Sequence, residues 1–263
     1  MKVYSYSMQG KRDDNEDQHY HYMNLDGKNK GRKLNFFGVF DGHGGKLVSS
    51  YLKKHLPKSM MNTSVKGVYS DKKITKNYVT KIFKQTQNKL KEEHPKAVEW
   101  SGSTAVCCVM KKVDNKTYLW VSHVGDSRAV ICNNGKAIGL TTDHKPNLPS
   151  EKRRIEKLGG KITYDGFDWR IKDLSMARAF GDTEISPFVS QKPDVKKYKL
   201  KSSDKYLIVA CDGLWDSFTN KAAVHYVNRL IKNKFKGNYA KELAKQAYKL
   251  GSTDNITVMV IML

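Results

Sequence analysis

The chain has 263 residues, and its 48 Lys and Arg residues against 26 Asp and Glu residues give a net charge of +22. Hydrophobic residues make up 39% of it, which is enough for a globular core and excludes a disordered chain. Apolar runs stop far short of the ~20 residues of a membrane helix, and the N-terminus lacks the apolar core of a secretory signal. We therefore expect an intracellular protein without a membrane segment, located in the cytoplasm, with the nucleus as the alternative. We also expect a monomer.

The cysteines and the lysines limit the classes of partner. All four cysteines lie in apolar, strand-like segments and no pair has the CxxC spacing, which indicates free buried thiols in a reducing compartment. The basic residues are mostly lysines spread along the whole chain. Proteins that read nucleic acids usually concentrate basic residues in a stripe interleaved with aromatics. We therefore expect no specific nucleic-acid binding, and favour weak attraction to acidic partners.

The hydrophobic pattern predicts many strands and a few separate helices. In chain order these are strands at 3–7, 19–23 and 35–40, helices at 46–56 and 74–93, strands at 104–110, 118–124, 129–132 and 136–140, a helix at 150–158, a strand at 206–211, helices at 219–233 and 238–250, and a strand at 256–263. Pro57 is predicted to stop the first helix, and 58–76 is the best candidate for a loop. Asn133-Asn134-Gly135 is a strong hairpin signal.

This pattern indicates an α+β fold in one domain over residues 1–263, because no repeat or linker interrupts it. The strands at 206–211 and 256–263 are apolar throughout, so both of their faces are predicted to be buried. We therefore expect sheets that pack against each other and are covered by helices.

Acidic residues in this basic chain stand where predicted strands end or begin. They include Glu16, Asp41, Asp126, Asp212 and Asp254. An Asp-Gly pair at one strand end is typical of a turn. As a set, however, acids at strand ends can converge on one place in the fold.

Converging carboxylates repel one another unless a multivalent cation holds them together. Carboxylate and carbonyl oxygens suit Mg²⁺ or Mn²⁺, and the glycine after Asp41 lets the backbone turn so that a carbonyl can approach such an ion. Two ions of this kind can activate a water for phosphoester hydrolysis. Arg12, four residues before Glu16, can supply a guanidinium for the phosphate. The sequence therefore predicts a metal site for phosphoester chemistry.

Other motifs have simpler interpretations. His19 and His21 would point to one side of a strand and could bind zinc, but surface histidines are the favoured interpretation because further metal-ligand spacing is missing. The run 152–154, Lys-Arg-Arg, is interpreted as a solvated helix face, with a phosphopeptide-facing role as the alternative. The four tryptophans are interpreted as core or rim residues. P-loop, HExxH and GxSxG motifs are all missing from the sequence.

A series of short motifs follows in order across nearly the whole chain. They are GKRDDNED at 10–17, FDGHGG at 40–45, SGSTA at 101–105, GDSRA at 125–129, DHKP at 143–146 followed by GG at 159–160, ARAFGD at 177–182, ACDGLWD at 210–216 and TDN at 253–255. Each motif is weak alone, but the ordered set resembles the metal-dependent type 2C Ser/Thr protein phosphatases, the PPM family.

The resemblance implies a four-layer α-β-β-α sandwich, with two packed antiparallel sheets flanked by helices and a metal cleft at one end. It implies hydrolysis of phosphoserine and phosphothreonine in phosphoprotein substrates by a water activated between two divalent metals. Segment 164–172 is where relatives build a flap over the cleft. The alternative is a catalytically weak pseudophosphatase, or a basic binding module of the same fold.

The resemblance also implies a set of metal ligands. Glu16, Asp41 and the Gly42 carbonyl would serve one Mg²⁺ or Mn²⁺ ion. Asp41, Asp212 and Asp254 would serve the other, so that Asp41 bridges the two ions.

Further roles are carried over from the same motifs. Asp126 together with Asp212, and with Asp216 as an optional addition, would form a weaker third ion site that some members show. Arg12 would grip the phosphate. His43 would act as the general acid that protonates the leaving alkoxide. Asp17 would support the metal ligands from behind.

Overall fold

The computed structural model describes residues 1–28 and 31–263, which form fifteen β-strands and six α-helices. The strands are β1 (Lys2–Met8), β2 (Gln18–Met23), β3 (Asn35–Phe40), β4 (Gly42–His43), β5 (Gly102–Ser103), β6 (Ala105–Val113), β7 (Lys116–Val124), β8 (Arg128–Asn133), β9 (Lys136–Gly139), β10 (Thr163–Tyr164), β11 (Trp169–Arg170), β12 (Phe180–Gly181), β13 (Asp194–Lys199), β14 (Asp204–Ala210) and β15 (Ile256–Met262). The helices are α1 (Leu47–Met60), α2 (Lys72–Glu93), α3 (Pro149–Lys157), α4 (Asp212–Trp215), α5 (Asn220–Lys232) and α6 (Tyr239–Lys249).

Two five-stranded antiparallel sheets form the centre. Sheet 1 has the order β13-β7-β6-β3-β2, and sheet 2 has the order β1-β15-β14-β8-β9. Strand β3 is buried throughout because its side chains alternate between two cores. Phe37 and Val39 pack in the cluster shared with sheet 2, whereas Phe36 and Phe40 pack in the cluster shared with helices. The uniformly apolar strand therefore marks a sheet that is covered on both faces.

Helices cover the outer face of each sheet. Residues of α1 and α2, such as Leu52 and Phe83, share a buried cluster with Phe36 of sheet 1. Residues of α5 and α6, such as Val227 and Leu243, share another with sheet 2. The predicted α+β fold is confirmed, and its layers follow the order α-β-β-α. Within the described ranges, every helix is too short or too polar to cross a bilayer.

The predicted end of the first helix is wrong. Helix α1 continues through Pro57 to Met60, although an interior proline costs about 3 kcal/mol. Leu56 and Met60 are fully buried, and the Tyr69 hydroxyl donates to the Met60 carbonyl at 2.6 Å. Burial of these side chains against sheet 1 offsets the local penalty. The loop predicted over 58–76 is correspondingly shorter, because α2 begins at Lys72.

Segment 149–190, between β9 and β13, lies beside the sandwich with a small core of its own. That core contains Ile155, Ile171, Met176, Ala177, Ala179, Ile185 and Val189. The prediction that 152–154 is a solvated face is wrong for Arg154. Its guanidinium donates to the carbonyls of Ala177 at 2.9 Å and Phe188 at 2.8 Å, and so ties α3 to the rest of the segment.

Candidate metal centre

A cleft of about 650 Å³ opens at the end of the sandwich where β3 of sheet 1 and β14 of sheet 2 stop. The predicted site residues that line it are Arg12, Glu16, Asp41, Gly42, His43, Asp212 and Asp254. Asp126 lies behind the lining and is buried. The structure therefore gathers motifs from the whole length of the chain.

Three carboxylates converge at the back of the cleft. Oxygens of Asp41, Asp126 and Asp212 all lie within 4.8 Å of one another. Burial and the neighbouring carboxylates raise the pKa of Asp41 and of Asp212 well above the usual range of an aspartate. Lys145 donates to Asp126 Oδ2 at 2.6 Å, while the buried Asp126 Oδ1 lacks a hydrogen-bond partner in the described ranges.

This donor set fits a hard divalent cation. The converging atoms are carboxylate oxygens, which Mg²⁺ and Mn²⁺ prefer. A buried oxygen without a partner is costly unless something else binds it. Cys211 lies close to Asp17 and Asp41, but burial raises the pKa of its thiol well above the usual range, so it offers no thiolate to a softer metal.

The loop that carries Glu16 is held by one buried amide. Asn255 Oδ1 accepts from the Glu16 N–H at 2.8 Å, and Asn255 Nδ2 donates to the carbonyls of Gln9 and Asp14, both at 2.8 Å. The Glu16 carboxylate accepts the Gly45 N–H at 2.8 Å. These contacts bring the first acidic motif against the last one.

Gly42 lies tight against the Glu16 backbone. A Cβ at Gly42 would lie 2.6 Å from the Glu16 carbonyl oxygen and 2.9 Å from Ser49 Oγ, so a side chain is excluded there. Thr104 anchors the preceding residue, because its N–H donates to the Asp41 carbonyl at 2.9 Å. The backbone at 41–42 is thereby fixed at the cleft.

Arg12 forms an ion pair with Asp254. Its Nη2 lies 2.7 Å from Asp254 Oδ2, and its side chain is 60% exposed. The charge of Asp254 raises the pKa of Arg12 further. The guanidinium is therefore held at the acidic centre with most of its surface open to a ligand.

His43 pairs with Asp182. Its Nε2 lies 2.9 Å from Asp182 Oδ1, and this carboxylate is buried. The two residues meet through a small sheet, because β5 pairs with β4, which contains His43, and with β12, which precedes Asp182. Burial opposes the charged imidazole, but the hydrogen bond and charge of Asp182 outweigh it and raise the pKa of His43.

Two remaining predicted residues lie around this centre. Asp17 is buried, neither of its carboxylate oxygens has a partner among the residues described, and burial raises its pKa to about 6. Asp216 is exposed and lies outside the cleft lining. Although the residue as a whole is exposed, partial burial of its carboxyl group and the charge of Asp126 raise the pKa of Asp216. The charge of Asp216 in turn helps to raise the pKa of Asp212.

A second group of possible ligands lies where β7 pairs with β13, and the segment between β9 and α3 contributes one of its members. It contains His123, His144 and Asp194, whose candidate ligand atoms lie within 4.8 Å of one another. The two imidazoles are stacked, with centroids 4.5 Å apart and planes 16° apart. The lone pair of each imidazole nitrogen lies in the plane of its own ring. Because the two ring planes are nearly parallel and stacked, one ion cannot lie in both planes, and the two histidines cannot both ligate it. We interpret this group as structural.

Sequence reasoning assigned no role to three residues that shape the site: Asp182, Asn255 and Lys145. Each stands in a motif already noted, ARAFGD, TDN or DHKP, which was the available signal. Their partners are 139, 239 and 19 residues away, respectively. Contacts between residues this far apart leave no local pattern in the sequence.

Comparisons with known proteins agree with this geometry. The family model for protein phosphatase 2C matches residues 1–256. A probable protein phosphatase 2C of Arabidopsis thaliana is 39% identical over 256 residues, covering 97% of this chain and 68% of the relative. A probable protein phosphatase 2C of rice is 37% identical over 230 residues, covering 87% of this chain and 58% of the relative.

Solved structures match over nearly the whole chain. A serine-threonine phosphatase 2C from Toxoplasma gondii superposes with a TM-score of 0.83 at 26% identity, covering 99% of this chain and 94% of that one. A sex determining protein of C. elegans superposes with a TM-score of 0.86 at 26% identity, covering 99% and 64%. These matches indicate a protein phosphatase, a hydrolase. The chain belongs to the protein phosphatase 2C family.

Proposed function

We propose that the chain is a metal-dependent Ser/Thr phosphatase that hydrolyses phosphoserine and phosphothreonine in phosphoproteins. The observation that carries this proposal is the convergence of the Asp41, Asp126 and Asp212 carboxylates at the back of an open cleft. When bound, two Mg²⁺ or Mn²⁺ ions would supply Lewis acidity to the phosphate and acidify a water nucleophile. No covalent enzyme intermediate is needed for this chemistry.

The acidic residues divide into two sets that share Asp41. Glu16, Asp41 and the Gly42 carbonyl would hold one ion, because the 41–42 backbone and the Glu16 loop are packed together. Asp212 and Asp254 would hold the other, from sheet 2. The two sets come from different sheets, so the packing of sheet 1 against sheet 2 sets the distance between the two ion sites.

The position of Asp126 supports the weaker third site. Its free Oδ1 is available to an ion, while Lys145 already neutralises part of its charge. Asp216 would complete this site from its exposed position. A resident lysine beside these acids explains why such a site would bind more weakly than the other two.

Arg12 is placed to bind the substrate phosphate. Its guanidinium is fixed by Asp254 at one edge and is exposed on the others. A planar guanidinium can donate two parallel hydrogen bonds to phosphate oxygens. This contact orients the phosphorus toward the acidic centre.

His43 is placed to donate a proton to the leaving alkoxide. Asp182 accepts from Nε2 and so favours the imidazolium form, which is the form that can act as an acid. Serine and threonine alkoxides are poor leaving groups unless they are protonated. The His43–Asp182 pair therefore supplies the general acid.

The alternative is a pseudophosphatase or a basic binding module with the same fold. The net charge of +22 favours acidic partners in either case. The retention of every predicted acidic ligand favours the enzyme, because carboxylates crowded to this degree destabilise a fold that gains no ion from them. The buried, free cysteines support an intracellular location, and we propose a monomeric catalytic domain over residues 1–263.

The test is hydrolysis of p-nitrophenyl phosphate and a phosphothreonine peptide with Mn²⁺, with Mg²⁺ and with EDTA. Activity is expected only with the ions, and Asp41→Asn should abolish it. Asp26→Asn is the matched control, because Asp26 is exposed and outside the cleft. Full activity in EDTA would refute metal dependence, and a folded but inert wild type would favour the binding module.

A further inference from the structure

A hairpin beside the cleft presents aromatic side chains to solvent. It spans residues 163–170, and we call it the aromatic hairpin. Tyr164 is 55% exposed, Phe167 is 90% exposed and Trp169 is 40% exposed, and the rings of Tyr164 and Trp169 lie 5.3 Å apart. Exposed aromatics clustered in this way mark interaction sites more often than isolated exposed apolar residues do. Tyr and Trp are also the residues most enriched at binding hot spots.

The turn that carries Phe167 is held in place by a carboxylate. Asp165 accepts the N–H groups of Phe167 at 2.8 Å and Asp168 at 2.7 Å, and it forms an ion pair with Arg170. These hydrogen bonds, with the Arg170 side chain, hold the pKa of Asp165 well below its usual range. Phe167 is thus projected from a built turn, which lowers the entropy cost of binding through it.

The aromatic hairpin is continuous with the wall of the cleft. Arg170, its last residue, lines the cleft, and so do Asp173 and Met176 just after it. Arg170 Nη1 donates to the Asp173 carbonyl at 2.7 Å, which joins the hairpin to that wall. Trp100, another exposed aromatic, lines the same cleft.

We propose that the aromatic hairpin docks the polypeptide flanking the phosphoresidue and selects substrates that carry an apolar side chain there. This inference rests on the proposed function, because the polypeptide on either side of a phosphoresidue bound in the cleft must leave the cleft along one of its walls. Phe167 and Arg170 are three positions apart, which is up to about 10 Å of extended chain. Phe167 therefore lies within about three positions of the substrate residue that passes Arg170 at the cleft wall, so the selected side chain lies several positions from a phosphoresidue bound deeper in the cleft. The occupant is a phosphoprotein segment, and a second copy of this chain is the competing outcome.

The test compares two phosphothreonine peptides that differ only in having Leu or Gln at the flanking positions three to five residues away on each side. We expect kcat/KM to favour the Leu peptide by about tenfold, the low end for an apolar contact. Phe167→Ser should remove this preference, and Phe167→Leu should keep most of it. Leu250→Ser is the matched control, because Leu250 is 54% exposed and outside the cleft lining. This variant should keep the preference.

A binding assay tests docking of the peptide independently of its hydrolysis. Fluorescein-labelled versions of both peptides report binding by anisotropy in EDTA, with circular dichroism as the check on folding. Preferential binding of the Leu peptide by an inactive protein would support docking and count against the proposed phosphatase function. An active wild type with equal constants for the two peptides would overturn docking. Self-association that Phe167→Ser abolishes, measured by sedimentation, would also overturn it.

Discussion

Replacing Asp212 by Asn removes one negative charge from the acidic centre and keeps the shape of the side chain. Its oxygens lie within 4.8 Å of those of Asp41 and Asp126. Two unit charges at that distance repel each other by about 3 kcal/mol at an effective dielectric constant of 20. We therefore expect Asp212→Asn to raise the stability of the protein when no divalent ion is present.

Two effects reduce this gain. The raised pKa values of Asp41 and Asp212 mean that partial protonation already relieves some repulsion in the wild type. Asp212 also lies in the first turn of α4, where a negative charge contributes about 0.3–1 kcal/mol. A net gain of about 2 kcal/mol remains, which raises Tm by roughly 5 °C in a chain of this size.

Divalent ions should reverse the order. The wild type gains about 2.7 kcal/mol when the free ion concentration is a hundred times its Kd, whereas the variant has lost a ligand and gains less. Calorimetry in EDTA and in millimolar Mn²⁺ measures the stability of the variant and the wild type without and with ions, and Asp26→Asn is the control. If Asp212→Asn is less stable than the wild type in EDTA, the inference that the fold holds these carboxylates together despite their mutual repulsion is wrong.

Three further predictions concern other groups. His43→Ala should lower kcat on phosphopeptides by about 100-fold and on p-nitrophenyl phosphate much less, because nitrophenolate leaves without a proton; equal losses would contradict the acid role. Arg12→Lys should raise KM for phosphopeptides about tenfold by losing the bidentate contact. It should change the free energy of unfolding by less than about 1 kcal/mol, because the ion pair is exposed. Burial lowers the pKa of His123 to about 4, below its ordinary 6.5. The unfolded chain therefore binds more protons between these values, and stability falls by up to about 3 kcal/mol as pH drops through them. His123→Gln should flatten this slope in urea unfolding, and an unchanged slope would assign the acid sensitivity to other groups.

The features that were predictable from sequence depend on local chemistry. The hairpin between β8 and β9 turns at Asn134 and Gly135, whose φ angles of 46° and 79° suit those residue types. The uniformly apolar runs that form β14 and β15 indicated burial on both faces, and both strands lie inside sheet 2. Acids at strand ends were visible because a change from apolar to charged residues is a sharp signal. Each of these features is encoded within a few residues.

The features that were missed depend on distant partners. Pro57 stays inside α1 because Leu56 and Met60 are buried against sheet 1, and no helix rule contains that information. Arg154 is drawn from the surface by carbonyls 23 and 34 residues away. Asp182 meets His43 across 139 residues. Tertiary contacts decided these positions, so local propensity gave the wrong answer or none.

The distribution of positive charge around the centre bears on its chemistry. A net charge of +22 exceeds what is needed to neutralise a few buried acids. Instead, Arg12 pairs with Asp254 and Lys145 with Asp126, while Asp41 and Asp212 have no ion pair in the part of the chain that the structure describes. These two carboxylates come from different sheets, carry raised pKa values and face the cleft. The lysine-rich surface therefore leaves uncompensated the charge that divalent ions would neutralise.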